Sequence, residues 1–209
     1  MSARIDHAVT SGTFTLDGQT FAVDNNVWVL GDDTECVVFD APHDVDAIAA
    51  LVGDRRCVAV VCTHAHDDHV RFAPELGRRL DAPVLLHPAD LPVWVLTHPD
   101  TAPDGELAAG DVLTVGGVEA RVLHTPGHSP GAVSVHVPEL GVVFTGDTLF
   151  QGGPGATGRS FSDFGVIIDS IRTQLLALPP DTRVLTGHGP ETTIGAEAPS
   201  MDDWITRGH

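Results

Sequence analysis

The stretch CTHAHDDHV, residues 62–70, places three histidines and two aspartates within six consecutive positions, His64 to His69. So many like-charged and hydrophilic groups are unfavourable together inside a protein unless something positive sits among them. Imidazole and carboxylate suit zinc, iron and manganese. In an extended chain after a strand, His64 and His66, two apart, can point the same way. Asp68 and His69 fall where the chain turns toward a helix, so they can face a second point close by. Asp67 breaks this alternation and reads as a solvated loop carboxylate.

Three more candidates stand further along. HTPGHSPG puts His128 in a glycine-flanked turn after VEARVLH, FTGDT puts Asp147 at the end of VVFTG, and TGHGPET puts His188 at the end of RVLTG. Each lies just past an expected strand and beside glycine, which lets the backbone turn sharply and a ligand approach. The alternative, turn residues with no shared role, fits poorly in a chain that also carries H-x-H-x-D-H. His7, His43, His98, His136 and His209 have no motif context, while His87 and His124 read as structural. G-x-S-x-G is absent, so no serine nucleophile is indicated, and Ser129 and Ser134 have simpler turn and strand roles.

Strands must carry these residues. TFTL and TFAV flank Asp17-Gly18, a hairpin signal, and VWVLG (27–31) and ECVVFD (35–40) follow. DVDAIAALVG (44–53) has a helical apolar stripe ended by Gly53. CVAVVC (57–62) is a continuous apolar run, a buried strand leading into the histidine cluster. APELGRRL (73–80) reads as a short helix and PVLLH (83–87) as a strand. The second half offers VLTV and VEARVLH around Gly116-Gly117, then strands AVSVHV, VVFTGD and RVLTG. Ser162 is a cap candidate for a helix running to Leu178, with Phe164, Ile167, Ile168, Ile171, Leu175 and Leu178 on one face and Pro179-Pro180 as its stop. SMDDWI (200–205) suggests a short capped helix, and QGGPGATGRS (151–160) a loose loop. Strands followed by a helix, twice over, fit two mixed sheets packed face to face with helices outside.

The chain has 209 residues, 42% of them hydrophobic, enough for one domain with a real core. Its net charge is −18, its 11 basic residues are all Arg, and it has no Tyr. Such acidity argues against nucleic acid and against an anionic membrane surface, and its simplest reading is solubility. Cys36, Cys57 and Cys62 form no CxxC pair and suit buried free thiols in a reducing compartment, so a cytoplasmic location is expected. No signal peptide or membrane span is read from the sequence.

Taken together, these motifs resemble the metallo-β-lactamase-fold hydrolases over nearly the whole chain. Asp40 in VVFDAP, the THAHDDH cluster, His128, Asp147 and His188 stand in the family's order. The resemblance implies an α/β fold: a four-layer αβ/βα sandwich in one domain over residues 1–209, with no C-terminal helical substrate-binding domain. It assigns His64, His66 and His128 to a first metal, Asp68, His69 and His188 to a second, with Asp147 bridging. It makes Asp40 a supporting aspartate that is not a ligand. Two divalent ions are implied as cofactors, zinc first, with iron or manganese as alternatives.

Two metals so close would share a water and lower its pKa toward neutrality, and the resulting bridging hydroxide would attack a carbonyl. Asp68 is the expected catalytic residue, holding a metal and taking the proton. A thiolate needs no general acid to leave, which favours a thioester. LFQGGPGATGRS and the segment through GHGPETTIG resemble the short-form glyoxalase II group, which hydrolyses S-lactoylglutathione. True zinc β-lactamases commonly differ at the position of His69 or carry Cys near the second metal. With neither Lys nor Tyr in the chain, Arg159 is the candidate for an anionic group on a small-molecule substrate. Three alternatives remain: a mononuclear iron persulfide dioxygenase using His64, His128 and Asp147, a lactone or phosphate-ester hydrolase with loops 87–106 and 151–162 as determinants, and a non-catalytic binding module.

Overall fold

The computed structural model describes residues 2–16 and 19–208. The chain opens with two long antiparallel strands, β1 (Arg4–Leu16) and β2 (Gln19–Gly31), paired from Arg4↔Gly31 to Leu16↔Gln19. TFAV and VWVLG are thus parts of one strand. The Asp17-Gly18 turn itself, and His209, lie outside the described residues. There follow β3 (Glu35–Phe39), α1 (Val45–Val52), β4 (Arg56–Val61), α2 (Asp67–Val70), α3 (Ala73–Leu80), β5 (Val84–Leu86), α4 (Leu91–Thr97) and β6 (Gly105–Glu106). Helix α1 starts where Asp44 accepts a hydrogen bond from Ala47 N at 2.9 Å and stops at Gly53, whose φ of 65° few other residues adopt.

The second half runs β7 (Val112–Val115), β8 (Val118–His124), β9 (Val133–Val137), β10 (Val142–Gly146), β11 (Leu149–Phe150), β12 (Gly153–Pro154), α5 (Phe164–Ser170), β13 (Arg183–Thr186), β14 (Thr192–Thr193), α6 (Ile194–Glu197) and α7 (Met201–Arg207). Strands β1 to β6 form one sheet in sequence order, antiparallel at β1–β3 and parallel from β3 onward. The other sheet has the order β14-β13-β10-β9-β8-β7, antiparallel except for the β10–β13 pair.

Three apolar layers separate these elements. In β2, Val27 and Val29 face the helices α1, α3 and α4, while Trp28 and Leu30 face the other sheet. Burial on both faces explains why VWVL and CVAVVC read as unbroken apolar runs. The middle layer packs Phe39, Val61, Val135, Phe144 and Leu185 between the sheets. The third layer sets Ile167, Ile171 and Leu175 with Trp204 of α7 against Val143 and Val184. The expected four-layer αβ/βα sandwich of two mixed sheets is therefore the observed fold. All three cysteines are free and buried. Among the described residues, no helix is long and apolar enough to cross a membrane.

Several elements differ from expectation. The cap of α5 is Asp163, whose carboxylate accepts from Val166 N at 3.0 Å; the Ser162 hydroxyl is instead engaged with Arg159 O at 2.8 Å. The helix does not run as one α-helix to Leu178, because Ile171–Leu175 forms a π-turn. Segment 87–106, read as a loop, contains α4 and β6. Segment 151–160, read as loose, contributes β12 to a small hairpin with β11.

Candidate metal centre

The candidate residues sit where strands end. The cluster follows β4, His128 follows β8, Asp147 follows β10 and His188 follows β13. The chain is extended at His66, with φ −66° and ψ 145°, and only then enters α2. That change of conformation separates His64 and His66 from Asp68 and His69, as the spacing suggested. Their donor atoms, with His128, Asp147 and His188, group into three mutually close sets. These are His64, His66 and His128; His64, His69 and Asp147; and Asp68, His69 and His188, each within 4.8 Å. Asp67 stays outside and pairs with Arg71 four residues on.

Glycines allow this approach. A Cβ on Gly187 would stand 2.3 Å from Asp147 Oδ1 and 2.8 Å from His69 Cε1. Gly187→Ala should therefore weaken metal uptake at least about tenfold while the far-UV circular dichroism spectrum is unchanged. Wild-type metal content in that variant, measured after desalting, would contradict the assignment. A Cβ on Gly146 would meet Thr63 Oγ1 at 2.5 Å, so the histidine loop rests directly on β10.

The far nitrogens of the rings fix which nitrogen faces inward. His69 Nδ1 donates to Asp40 Oδ2 at 2.8 Å, His128 Nδ1 to Ala156 O at 2.8 Å and His188 Nδ1 to Asp24 O at 2.8 Å. Thr63 Oγ1 gives its one hydrogen to Asp40 Oδ2 at 2.8 Å, so it accepts from His64 Nδ1 at 3.2 Å. Each of these four rings then directs Nε2 inward, and His66 directs Nδ1, 3.0 Å from His64 Nε2. Asp40 can serve Thr63 and His69 together because its backbone takes the left-handed conformation, φ 64°, which aspartate tolerates. Asp40, the aspartate expected to support the centre, meets His69 through Nδ1 and belongs to none of the three sets.

The donor set fits two divalent cations. His128 Nε2 and Asp147 Oδ1 are buried without a hydrogen-bond partner. His69 Nε2 and His188 Nε2 stand 3.1 Å apart, near the edge of about 3.3 Å that tetrahedral ligands have at zinc–nitrogen bond lengths. Electrostatics divides the site into two. Burial, reinforced by neighbouring imidazoles, lowers His64 well below its usual range and His66 to about 3, so both are neutral at pH 7. Burial is the largest influence on His69 and His188 and opposes their charge, but the neighbouring carboxylates, Asp147 first and Asp68 with it, together outweigh it, raising His69 well above its usual value and His188 to about 10. Burial would raise Asp68 and Asp147, yet His69 and His188 hold both well below the usual carboxylate range.

Without an ion, His188 is therefore protonated at neutral pH and must release its proton to become a ligand. Zinc uptake by metal-free protein at pH 7 should release protons, and affinity should fall as pH drops. Calorimetry in buffers of different ionisation enthalpy checks this. Buffer-independent heats would contradict it.

Two buried polar groups that motif reading missed brace the loops. Asn25 Nδ2 donates to Asp68 O at 2.9 Å and to Asp68 Oδ2 at 3.2 Å. Asp90 accepts from Ala65 N at 2.7 Å, Ser129 Oγ at 2.8 Å and Gly131 N at 2.5 Å, so it ties the histidine loop to the His128 turn. The available signal was a polar Asn pair beside the apolar run VWVL; Asp90 precedes a helix but makes no side-chain cap hydrogen bond there. His87 and His124 stack on each other at 4.1 Å, and His124 Nε2 bonds Pro130 O at 2.9 Å, so neither enters the donor set.

Residues 21–188 match the family model described as the metallo-beta-lactamase superfamily. The chain belongs to the metallo-β-lactamase superfamily. Among relatives of this superfamily member, a protein named probable metallo-hydrolase YqgX, from Bacillus subtilis, is 34% identical over 82% of this chain and 88% of its own. Hydroxyacylglutathione hydrolase GloC of Haemophilus influenzae is 47% identical over 42% of each chain. Among solved structures, BLEG-1 B3 metallo-beta-lactamase has a TM-score of 0.75 and 32% identity, covering 92% of this chain and 97% of its own. TTHA1623 in a di-iron-bound form has a TM-score of 0.74 and 36% identity, covering 84% and 93%. ETHE1 from Myxococcus xanthus has a TM-score of 0.74 and 26% identity, covering 88% and 84%.

Proposed function

We propose that the protein is a dinuclear metallo-hydrolase that cleaves thioesters of the glyoxalase II type. The carrying observation is the grouping of His64, His66 and His128, of Asp68, His69 and His188, and of Asp147 with His64 and His69, one residue from each of the other two sets. Divalent ions held there, zinc first, would supply Lewis acidity toward a carbonyl and lower the pKa of a shared water. Asp68, kept ionised by His69 and His188, accepts the proton at its carboxylate. Asp40 holds His69 with Nε2 inward throughout.

The choice of thioester rests on what the chain lacks. An amide nitrogen must be protonated to leave, and the chain has neither Lys nor Tyr to serve as a general acid separate from Asp68. A thiol with a pKa of about 8.5 leaves unaided. This weighs against the β-lactam substrates suggested by the likeness to BLEG-1. Exposed Arg159 lies on a loop tied to the His128 turn at both ends, by Ala156 O on His128 Nδ1 and by Asp163 N on Gly127 O at 2.8 Å. From there it meets an anionic group of the substrate. The similarity to GloC, a hydroxyacylglutathione hydrolase by name, supports the thioester, and the di-iron form of TTHA1623 supports a two-metal centre.

Metal-analysed protein should hydrolyse S-D-lactoylglutathione with kcat/KM of about 10⁴ M⁻¹s⁻¹ or more, followed as loss of thioester absorbance. Absence of turnover in protein carrying two metals would overturn the glutathione thioester and leave other thiols and lactones as substrates.

A further inference from the structure

Asn25 is buried to 1% exposure at the start of the apolar half of β2. Its amide orientation follows from one contact. The atom 2.9 Å from the carbonyl oxygen of Asp68 must be a donor, so it is Nδ2. Oδ1 then faces His43 Nε2 at 2.8 Å, and that nitrogen must carry the proton. His43 Nδ1 is correspondingly bare, buried and without a hydrogen-bond partner. The ring is seated by β1: a Cβ on Gly12 would lie 2.3 Å from His43 Nδ1. Sterics and tautomer together lock the amide with its hydrogens toward Asp68.

From this position Nδ2 touches every member of one donor set. It lies 3.2 Å from Asp68 Oδ2, 3.4 Å from His69 Nε2 and 3.5 Å from His188 Nε2. No corresponding amide contact is made with His64, His66 or His128. We propose that Asn25, locked by His43, is a positioning residue for the second metal position alone, a role that rests on the dinuclear reading above. Its amide fixes the rotamer of Asp68 so that Oδ2 faces His69 and His188 before any ion arrives. Metal centres lose about 10–100-fold in affinity when such an orienting partner is removed.

The test is titration of chelator-treated full-length protein with Zn²⁺ against a competing chelator, resolving the first and second equivalents. Asn25→Ala should weaken the second equivalent 10–100-fold and leave the first within about threefold. His43→Leu, which removes the donor to Oδ1 at a distance from all ligands, should weaken the second equivalent in the same sense. His43→Gln, whose amide can donate to Oδ1, should restore it. Wild-type affinity for both equivalents in Asn25→Ala and His43→Leu would overturn the proposal, as would equal loss of both equivalents. Wild-type protein that takes up only one equivalent would overturn the dinuclear reading itself.

Discussion

Asp147→Asn should lower turnover by at least about 10²–10³-fold and reduce bound metal from two ions to one or fewer. The reason lies in which atoms each oxygen reaches. Asp147 Oδ1 lies 3.4 Å from His69 Nε2, while Oδ2 lies 3.4 Å from His188 Nε2 and 3.6 Å from His128 Nε2. One carboxylate thus borders both donor sets. Asparagine keeps the shape but removes the negative charge and replaces one oxygen with an NH₂ that has no lone pair to offer a cation. Such a group cannot bridge cations. Metal analysis after desalting and thioester hydrolysis on the same sample provide the check. An active variant retaining both metals would contradict the assignment of Asp147.

Asp90→Asn should destabilise the protein by about 3 kcal/mol, lowering Tm by roughly 6–12 °C for a chain of this size. Asp90 is fully buried and takes donors on both oxygens. Burial pushes its carboxyl above the usual range, and three donors hold it against that pull. An amide must set one NH₂ against N–H or O–H donors that no water reaches, leaving them unsatisfied. Because those donors belong to Ala65, Ser129 and Gly131, the same change should loosen the His64–His66 loop from the His128 turn. Calorimetric melting of metal-free protein separates the stability effect from metal binding, and an unchanged Tm would contradict it.

What was legible in the sequence follows from distance along the chain. The donors stand out because each is a local feature: a polar residue just past an apolar strand, crowded with others in H-x-H-x-D-H or set beside a glycine. Strands buried on both faces, such as CVAVVC, and a capped helix such as Val45–Val52 announce themselves in the same way. Asn25 and Asp90 did not, because their partners lie far off: Asp68 for Asn25, and Ala65, Ser129 and Gly131 for Asp90. A buried amide or carboxylate looks like a surface residue until its donors are known. Ser162, the cap expected from the sequence, has its hydroxyl engaged with both Arg159 N and Arg159 O, and Asp163 caps the helix instead. In LPVWVLT, the β-branched Val93 and Val95 weaken the helical signal, and α4 forms because Val93 and Trp94 are buried against the first sheet's outer layer.

The most direct test of the central claim is the metal content of freshly purified protein, measured by mass spectrometry alongside S-D-lactoylglutathione hydrolysis on the same sample. The account predicts two divalent ions per chain and a hydrolytic rate that rises and falls with occupancy of the second position. One iron per chain, with oxygen uptake on a persulfide and no thioester hydrolysis, would contradict it and favour the mononuclear dioxygenase using His64, His128 and Asp147.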